Sequence, residues 1–288
     1  MKLTDLGKLL PLDYFRNPPP VVAVIGLSGV IGLRVGLRRG LALAGLADVI
    51  ERAFKLRHLK AVALAVNSPG GTPVQSALIA RRIRDLADET GVPVYAFAED
   101  VAASGGYWLA LAADEIYADE NSIIGSIGVV SGGFGFVQAI KRLGVERRLH
   151  TAGDKKAMLD PFQPEKAADV RHLEGLQKEI HASFQAMVLA RRGGRLKGKK
   201  KELFSGAFWT GRRAKELGLI DGLGDLRAVM RDKFGERVKL RRLDARQPFW
   251  RRRFGLFAPA GGAADSGHWA QAALAAVEER MIWSRFGL

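Results

Sequence analysis

The longest apolar runs in the chain sit in its first half and are punctuated by glycine. VVAVIGLSGVIG (21–32) is apolar with hardly a break, as expected of a strand buried on both faces that runs into a glycine loop. LKAVALAVNSPGG (59–71) repeats that pattern and ends in a sharp Asn-Ser-Pro-Gly-Gly turn. Between them, residues 41–58 place apolar positions at helical spacing. TPVQSALIARRIRDLADET (72–90) predicts an amphipathic helix, with Pro73 near its start and Gly91 beyond its end. VPVYAFAED (92–100) is a third strand, SGGYWLALAA (104–113) a helix and DEIYADE (114–120) a short fourth strand.

Strands and helices in alternation predict an α/β domain with a mainly parallel sheet. A long helical region is expected over about 163–192, followed by a basic loop. The segment FWTGRRAKELGLIDGLGDLRAVMRDKFG (208–235) predicts two short helices around a glycine turn. APAGGAADSG has the content of a flexible linker, and HWAQAALAAVEERMIWSRF a terminal amphipathic helix. The expected division is an N-terminal segment (1–19), one α/β domain (20–243) and a basic-aromatic linker with a terminal helix (244–288). No fixed-period repeat is present.

Composition narrows the chemistry. The 288 residues contain no cysteine, which excludes disulfides, thiolate metal sites and a cysteine nucleophile. The net charge of +15 concentrates in ARRGGRLKGKKKEL (190–203) and RRLDARQPFWRRRFGLF (241–257). By charge alone this suits nucleic acid, anionic lipid or simply a solvated basic surface. No run reaches the roughly 20 apolar residues of a spanning helix. The N-terminus is interrupted by Asp5, Pro11 and Asp13, unlike a signal peptide. A cytoplasmic location is expected.

One serine, Ser104, lies in the small-residue run AASGGYW ahead of an apolar helix. A nucleophilic serine needs a base for its proton and donors for the developing oxyanion. His58, His150, His172, His181 and His268 all fall on expected surface or helix faces, so a Ser-His-Asp triad finds little support. Donors are better supplied. The NSPGG turn (67–71) and the Ser104-Gly105-Gly106 turn close consecutive parallel strands, whose ends meet at one sheet edge. Glycine turns at strand ends are routine in such folds, so on loop placement alone the structural reading stays open.

Five blocks, taken together, are more specific: NSPGG (67–71), AASGGYWLA (102–110), IIGSIGV (123–129), TAGDKKAMLDPF (151–162) and FWTGRRAKELGLIDGLG (208–224). In this order they resemble the signal peptide peptidase A family, the S49 serine peptidases, over roughly residues 20–235. The resemblance implies a ClpP/crotonase-like α/β fold with repeated β-β-α units, and a serine–lysine dyad that needs no histidine, metal or cofactor. Ser104 matches the nucleophile. Two adjacent lysines compete for the base. The family's residue stands two places before a Met and six before a Phe-like position, which selects Lys156 over Lys155. Ser126 matches a serine that orients the lysine amine, and the amides of Gly71 and Gly105 match the oxyanion donors.

A lysine base must be neutral, whereas an ordinary lysine keeps its proton to about pH 10.4. Dry surroundings lower this to roughly 7–8, and Met158, Leu159, Pro161 and Phe162 are expected to supply them. The chain departs from the family at Ala157, where Asp is usual, and is expected to be without the membrane anchor with which most short members begin. The implied substrate is an unfolded or extended peptide, signal peptide remnants among them. The half-length members form homo-oligomeric rings in which one subunit's serine is completed by its neighbour's lysine. The run QPFWRRRFGLF suits peripheral contact with the inner membrane better than nucleic acid. Two other readings stand beside this one. The first is a catalytically silent crotonase-like scaffold; the second is an acyl-CoA hydratase or isomerase using Glu99 or Asp100.

Overall fold

A computed structural model of the chain describes residues 18–32, 34–35, 38–243, 277 and 280–287. Most of the N-terminal segment, the basic-aromatic run, the linker and most of the expected terminal helix lie outside the described residues.

The elements in chain order are β1 (Val21–Ser28), β2 (Arg34–Val35), β3 (Arg38–Arg39), α1 (Leu43–Phe54), β4 (Leu59–Ser68), α2 (Pro73–Thr90), β5 (Val94–Ala103), α3 (Gly105–Ala110), β6 (Glu115–Ala118) and β7 (Ile123–Gly125). There follow α4 (Val137–Arg142), α5 (Ala167–Arg192), a 3₁₀ turn (Gly193–Arg195), α6 (Lys200–Leu203), β8 (Phe208–Thr210), α7 (Gly211–Glu216), β9 (Gly222–Leu223), α8 (Leu226–Phe234) and β10 (Lys239–Leu243). Eight strands form one sheet in the order β10-β1-β4-β5-β6-β9, with β7 pairing β5 and β8. All pairs are parallel except β7 with β8. The fold is the expected ClpP/crotonase-like α/β architecture.

The apolar runs of β1 and β4 are continuous because both faces are covered, yet the faces differ in bulk. Ala23, Ile25 and Leu27 of β1 and Val62, Leu64 and Val66 of β4 pack with α1, α2, α3 and α5 into the larger core. The opposite face of β4 offers Ala61, Ala63 and Ala65, on which Met230 of α8 is fully buried. Small side chains let that single helix lie close to the sheet.

The long helix begins at Ala167, because Lys166, two residues after Pro164, is still extended. Its buried positions, Phe184, Val188 and Arg192, recur every four residues; Phe184 faces Trp108 of α3 and Arg192 the Gly218–Asp221 turn. Arg192 has 2% of its side chain exposed and donates to Asp221 at 2.6 Å and to the Gly218 carbonyl. Asp221 also accepts from Arg195 at 2.8 Å and from the Ile116 amide. Burial pushes the Asp221 carboxyl up, but these donors outweigh it and hold the group below its ordinary range. Arg191 donates to the Leu111 and Ala113 carbonyls just past α3, so α5 grips both that helix and the sheet edge.

Strands β7 to β10 and the β2–β3 pair are absent from the sequence reading. They have two to five residues each, and β9 and β10 find their partners on β6 and β1, far away along the chain.

Candidate active site

Strand β5 divides its edge. Tyr95–Ala98 pairs with β6, and Val101–Ala103 pairs with β7. Ser104 follows at once, at φ 52° and ψ −120°. An L-residue adopts that conformation only under constraint. The constraint is visible: the Ser104 amide donates to the Gly125 carbonyl at 2.8 Å, and its own carbonyl accepts the first hydrogen bond of α3 from Trp108 at 3.0 Å. From Val101 to Ala113 every residue but Ser104 is buried.

The β4 turn interlocks with this one. Gly70 has φ 107°, and a Cβ there would come within 2.8 Å of the Ser104 Cβ and 2.9 Å of the Gly105 amide nitrogen. A Cβ on Gly106 would lie 2.3 Å from the Ser68 carbonyl oxygen. The glycines are therefore demanded by the approach of two backbones. Around Gly71 the amides of Gly70 and Thr72 are taken up by Ser68 Oγ and the Ile31 carbonyl. Among the described residues the Gly71 amide makes no main-chain hydrogen bond. The Gly105 amide is the first of α3 and has no partner within the helix.

A cavity of about 770 Å³ opens beside these turns, lined by Gly71, Ser104, Ser126 and His181 among others. Ser126 is buried and also left-handed, at φ 53°, and its amide donates to the Ala207 carbonyl at 2.7 Å. The rest of the wall is mainly apolar, from Val129 and Val130 to Leu173, Leu176 and Ile180 of α5. Ile282, Arg285 and Phe286 of the terminal segment line it too, and Phe286 packs edge-on against Phe208 at 5.1 Å.

His181 is expected on a surface or helix face without aim at a site. It does sit on α5, but that face looks into the cavity. The buried stripe of Phe184, Val188 and Arg192 continues one turn back at Ile180, which lines the cavity beside His181.

Lys156 is elsewhere. It is exposed and does not line the Ser104 cavity. It belongs to an arm, residues 128–166, with no buried residue. Phe136 and Phe162 pack at 5.5 Å, with the Arg147 guanidinium 4.9 Å over the Phe162 ring and ion-paired to Asp160. Around this nucleus Val130, Phe134, Leu143 and Val145 are left largely exposed. Met158, Leu159 and Phe162 are half-buried and Pro161 is exposed, so they leave Lys156 in water within the single chain.

A second cavity of about 710 Å³ lies beyond Phe286 and carries Asp100, Asp119 and Asp225. Their carboxylates hold the Asn67 amide, the Asn121 amides and the first turn of α8 respectively. Among the described residues no group of carboxylates and histidines could hold a metal ion.

Residues 87–239 match the model of peptidase family S49. The chain is 32% identical over 243 residues to the chloroplastic serine protease SPPA of Arabidopsis thaliana, covering 76% of the chain and 34% of that protein. It is 33% identical over 218 residues to Protease 4 of Haemophilus influenzae, covering 74% of the chain and 34% of that protein. It is also 49% identical over 288 residues to a protein named Na(+)/H(+) antiporter NhaA in Brucella abortus, covering 98% of the chain but 39% of that protein. The chain thus spans between about a third and two-fifths of these relatives. Among the described residues no helix is long and apolar enough to cross a membrane.

Proposed function

Because the chain belongs to peptidase family S49, we propose that it is a serine endopeptidase that hydrolyses extended peptides through an acyl-enzyme at Ser104. The observation that carries this reading is the convergence of Ser104, Ser126 and Gly71 on one largely apolar cavity, with Ser104 held in a strained turn by two interlocked loops. The antiporter name belongs to a protein of which the chain matches 39%, and the part of the chain assigned to a family is peptidase.

In the proposed reaction Ser104 Oγ attacks the scissile carbonyl carbon while its proton passes to the Lys156 amine. The oxyanion is received by the amides of Gly71 and Gly105. The lysine then gives the proton to the leaving amine, and a water, deprotonated by the same amine, releases the acyl group. Ser126 accepts from the lysine and orients it.

Lys156 comes from a second copy of the chain. What supports this is its exposure on an arm outside the Ser104 cavity, together with the bare apolar side chains around it. Docked in a ring, the arm covers those side chains, and the lysine leaves water, which favours its neutral form. Peripheral membrane contact through residues 247–257 belongs to the same proposal.

Purified protein is expected to cleave a short apolar fluorogenic peptide and to be labelled by a serine-directed phosphonate, and Ser104→Ala should abolish both. Equal turnover by the variant overturns the assignment. Unlabelled, inactive wild-type protein would instead favour the scaffold reading, to which the exposed Lys156 and the Ala157 departure lend support.

A further inference from the structure

The turn Gly125–Gly128 is the piece on which both serines depend. Its Gly125 carbonyl holds the Ser104 amide, and its second residue is Ser126 in the left-handed region. A non-glycine residue stays there only when its surroundings over-determine it. The strand side supplies one tie, from the Ser126 amide to the Ala207 carbonyl, and the Gly128 amide closes the turn on the Ser126 carbonyl at 2.9 Å. From the helical layer comes His181, whose Nε2 lies 3.1 Å from the Ile127 carbonyl oxygen. Among the described residues this is the one side-chain hydrogen bond to the backbone of the turn.

The contact dictates the ring's state. A carbonyl only accepts, so Nε2 carries a hydrogen and donates. Nδ1 lies 3.3 Å from the Gln185 side-chain nitrogen, one helical turn along α5. It lies equally close to Nε2, at 3.2 Å, and so settles the role of neither ring nitrogen; the Ile127 carbonyl settles Nε2. With Nε2–H given to the Ile127 carbonyl, that nitrogen has no lone pair free to take a proton from Ser104.

The rest of α5 keeps His181 in place. Phe184, three residues on, stacks against Trp108 of the Ser104 helix at 4.6 Å, and Arg191 holds the carbonyls beyond that helix. One face of α5 thus clamps the Ser104 helix and the Ser126 turn together. We propose that His181 is a positioning residue of the peptidase site, its Nε2–H fixing the Ile127 carbonyl and with it the left-handed Ser126 turn, and that it is not the base. This rests on the peptidase reading for its kinetic consequence, and on geometry alone for its structural one.

The test uses the full chain in its native assembly, with His181→Ala and His181→Gln compared to wild type. Glutamine carries an N–H near the position of Nε2 but cannot act as a base. With the apolar fluorogenic peptide, His181→Ala should lower kcat roughly tenfold to a hundredfold, as a lost positioning contact does, with little change in KM. His181→Gln should recover to within about threefold of wild type, since one neutral hydrogen bond replaces another. Independently of turnover, hydrogen exchange in peptides spanning residues 123–128 should quicken in His181→Ala and be protected again in His181→Gln. Unchanged kcat and exchange in the alanine variant overturn the proposal. So does a glutamine variant as impaired as alanine, because the imidazole would then be acting through its proton chemistry. If wild type neither cleaves peptide nor takes the phosphonate, the peptidase reading fails while the exchange experiment still decides the role of His181. Should His181→Ala not fold, the glutamine variant and the His181 tautomer in wild type, read by side-chain nitrogen NMR, decide it: an Nδ1–H tautomer overturns it.

Discussion

From Val101 to Ala113 Ser104 alone escapes burial, while from Gly128 to Ser183 no residue is buried at all. The first region is a strand end locked between two others and running into a buried helix, with glycines where backbones meet. The second is an arm and the outer half of a helix, organised around a few aromatic contacts, with Leu143 76% and Val130 71% exposed. The proposed nucleophile, Ser104, and the proposed base, Lys156, fall on opposite sides of this divide. A serine needs a rigid frame, and one chain can build that. A lysine that must shed its proton needs dry surroundings, and the arm cannot supply them by itself. This contrast supports the proposal of a site shared between copies.

The largest expected effect would break the comparison outright. Ser104→Ala and Lys156→Ala should each lose about 10⁴-fold or more in kcat, as removal of a nucleophile or its base does. Co-refolded as a mixture they should regain activity, because some interfaces pair an intact serine with an intact lysine. A mixture of native size that stays inactive would place both groups of the dyad within one chain.

Next come charges on either side of the divide. Asp221→Asn leaves the buried Arg192 guanidinium without its counter-charge, at an expected cost of about 3–5 kcal/mol. Glu146→Gln in the arm breaks a pair whose side chains are both more than two-thirds exposed, and should stay within about 0.5 kcal/mol. Denaturant midpoints compare the two. The same pair sets a pH dependence. The folded Asp221 carboxyl titrates below its ordinary value, so its contribution is complete above the ordinary carboxylate range. It is lost as pH falls through the lower folded-state value. Asp221→Asn should flatten the acid limb of stability below about pH 4, the ordinary carboxylate region; an unchanged limb would remove Asp221 from that role.

Smallest are the glycines. Gly106→Ala drives a Cβ to 2.3 Å from the Ser68 carbonyl, and should cost about 1–3 kcal/mol with a loss of turnover as the two loops part. Gly132→Ala in the arm meets nothing within 4 Å and should change chain stability by less than about 0.5 kcal/mol. Equal effects at the two positions would mean that the Ser104 edge is no stiffer than the arm.

The sequence by itself determined the sheet's centre, the helices around it and the serine loop. The runs of β1, β4 and β5 are long, apolar and bounded by glycine turns, and such patterns are local. Five short blocks in order carried the family, and with it the proposal of Ser104, Ser126, Gly71 and Gly105 as one set. Only the tertiary structure decided the rest. Strands of two or three residues such as β8 and β9 have no pattern of their own, and exist because distant partners complete their hydrogen bonds. The left-handed φ of Ser104 and Ser126 is invisible in a residue that is not glycine, since it is imposed by the amides and carbonyls packed around it. The face of α5 turned to the cavity depends on what lies beneath the helix, so His181 could be placed on a helix but not at a site. Lys156 could be chosen by its spacing to Met158 and Phe162, yet its distance from Ser104 is a property of the arm's path. Chain spacing constrains that path weakly, because nothing buried between Gly128 and Ser183 ties it down.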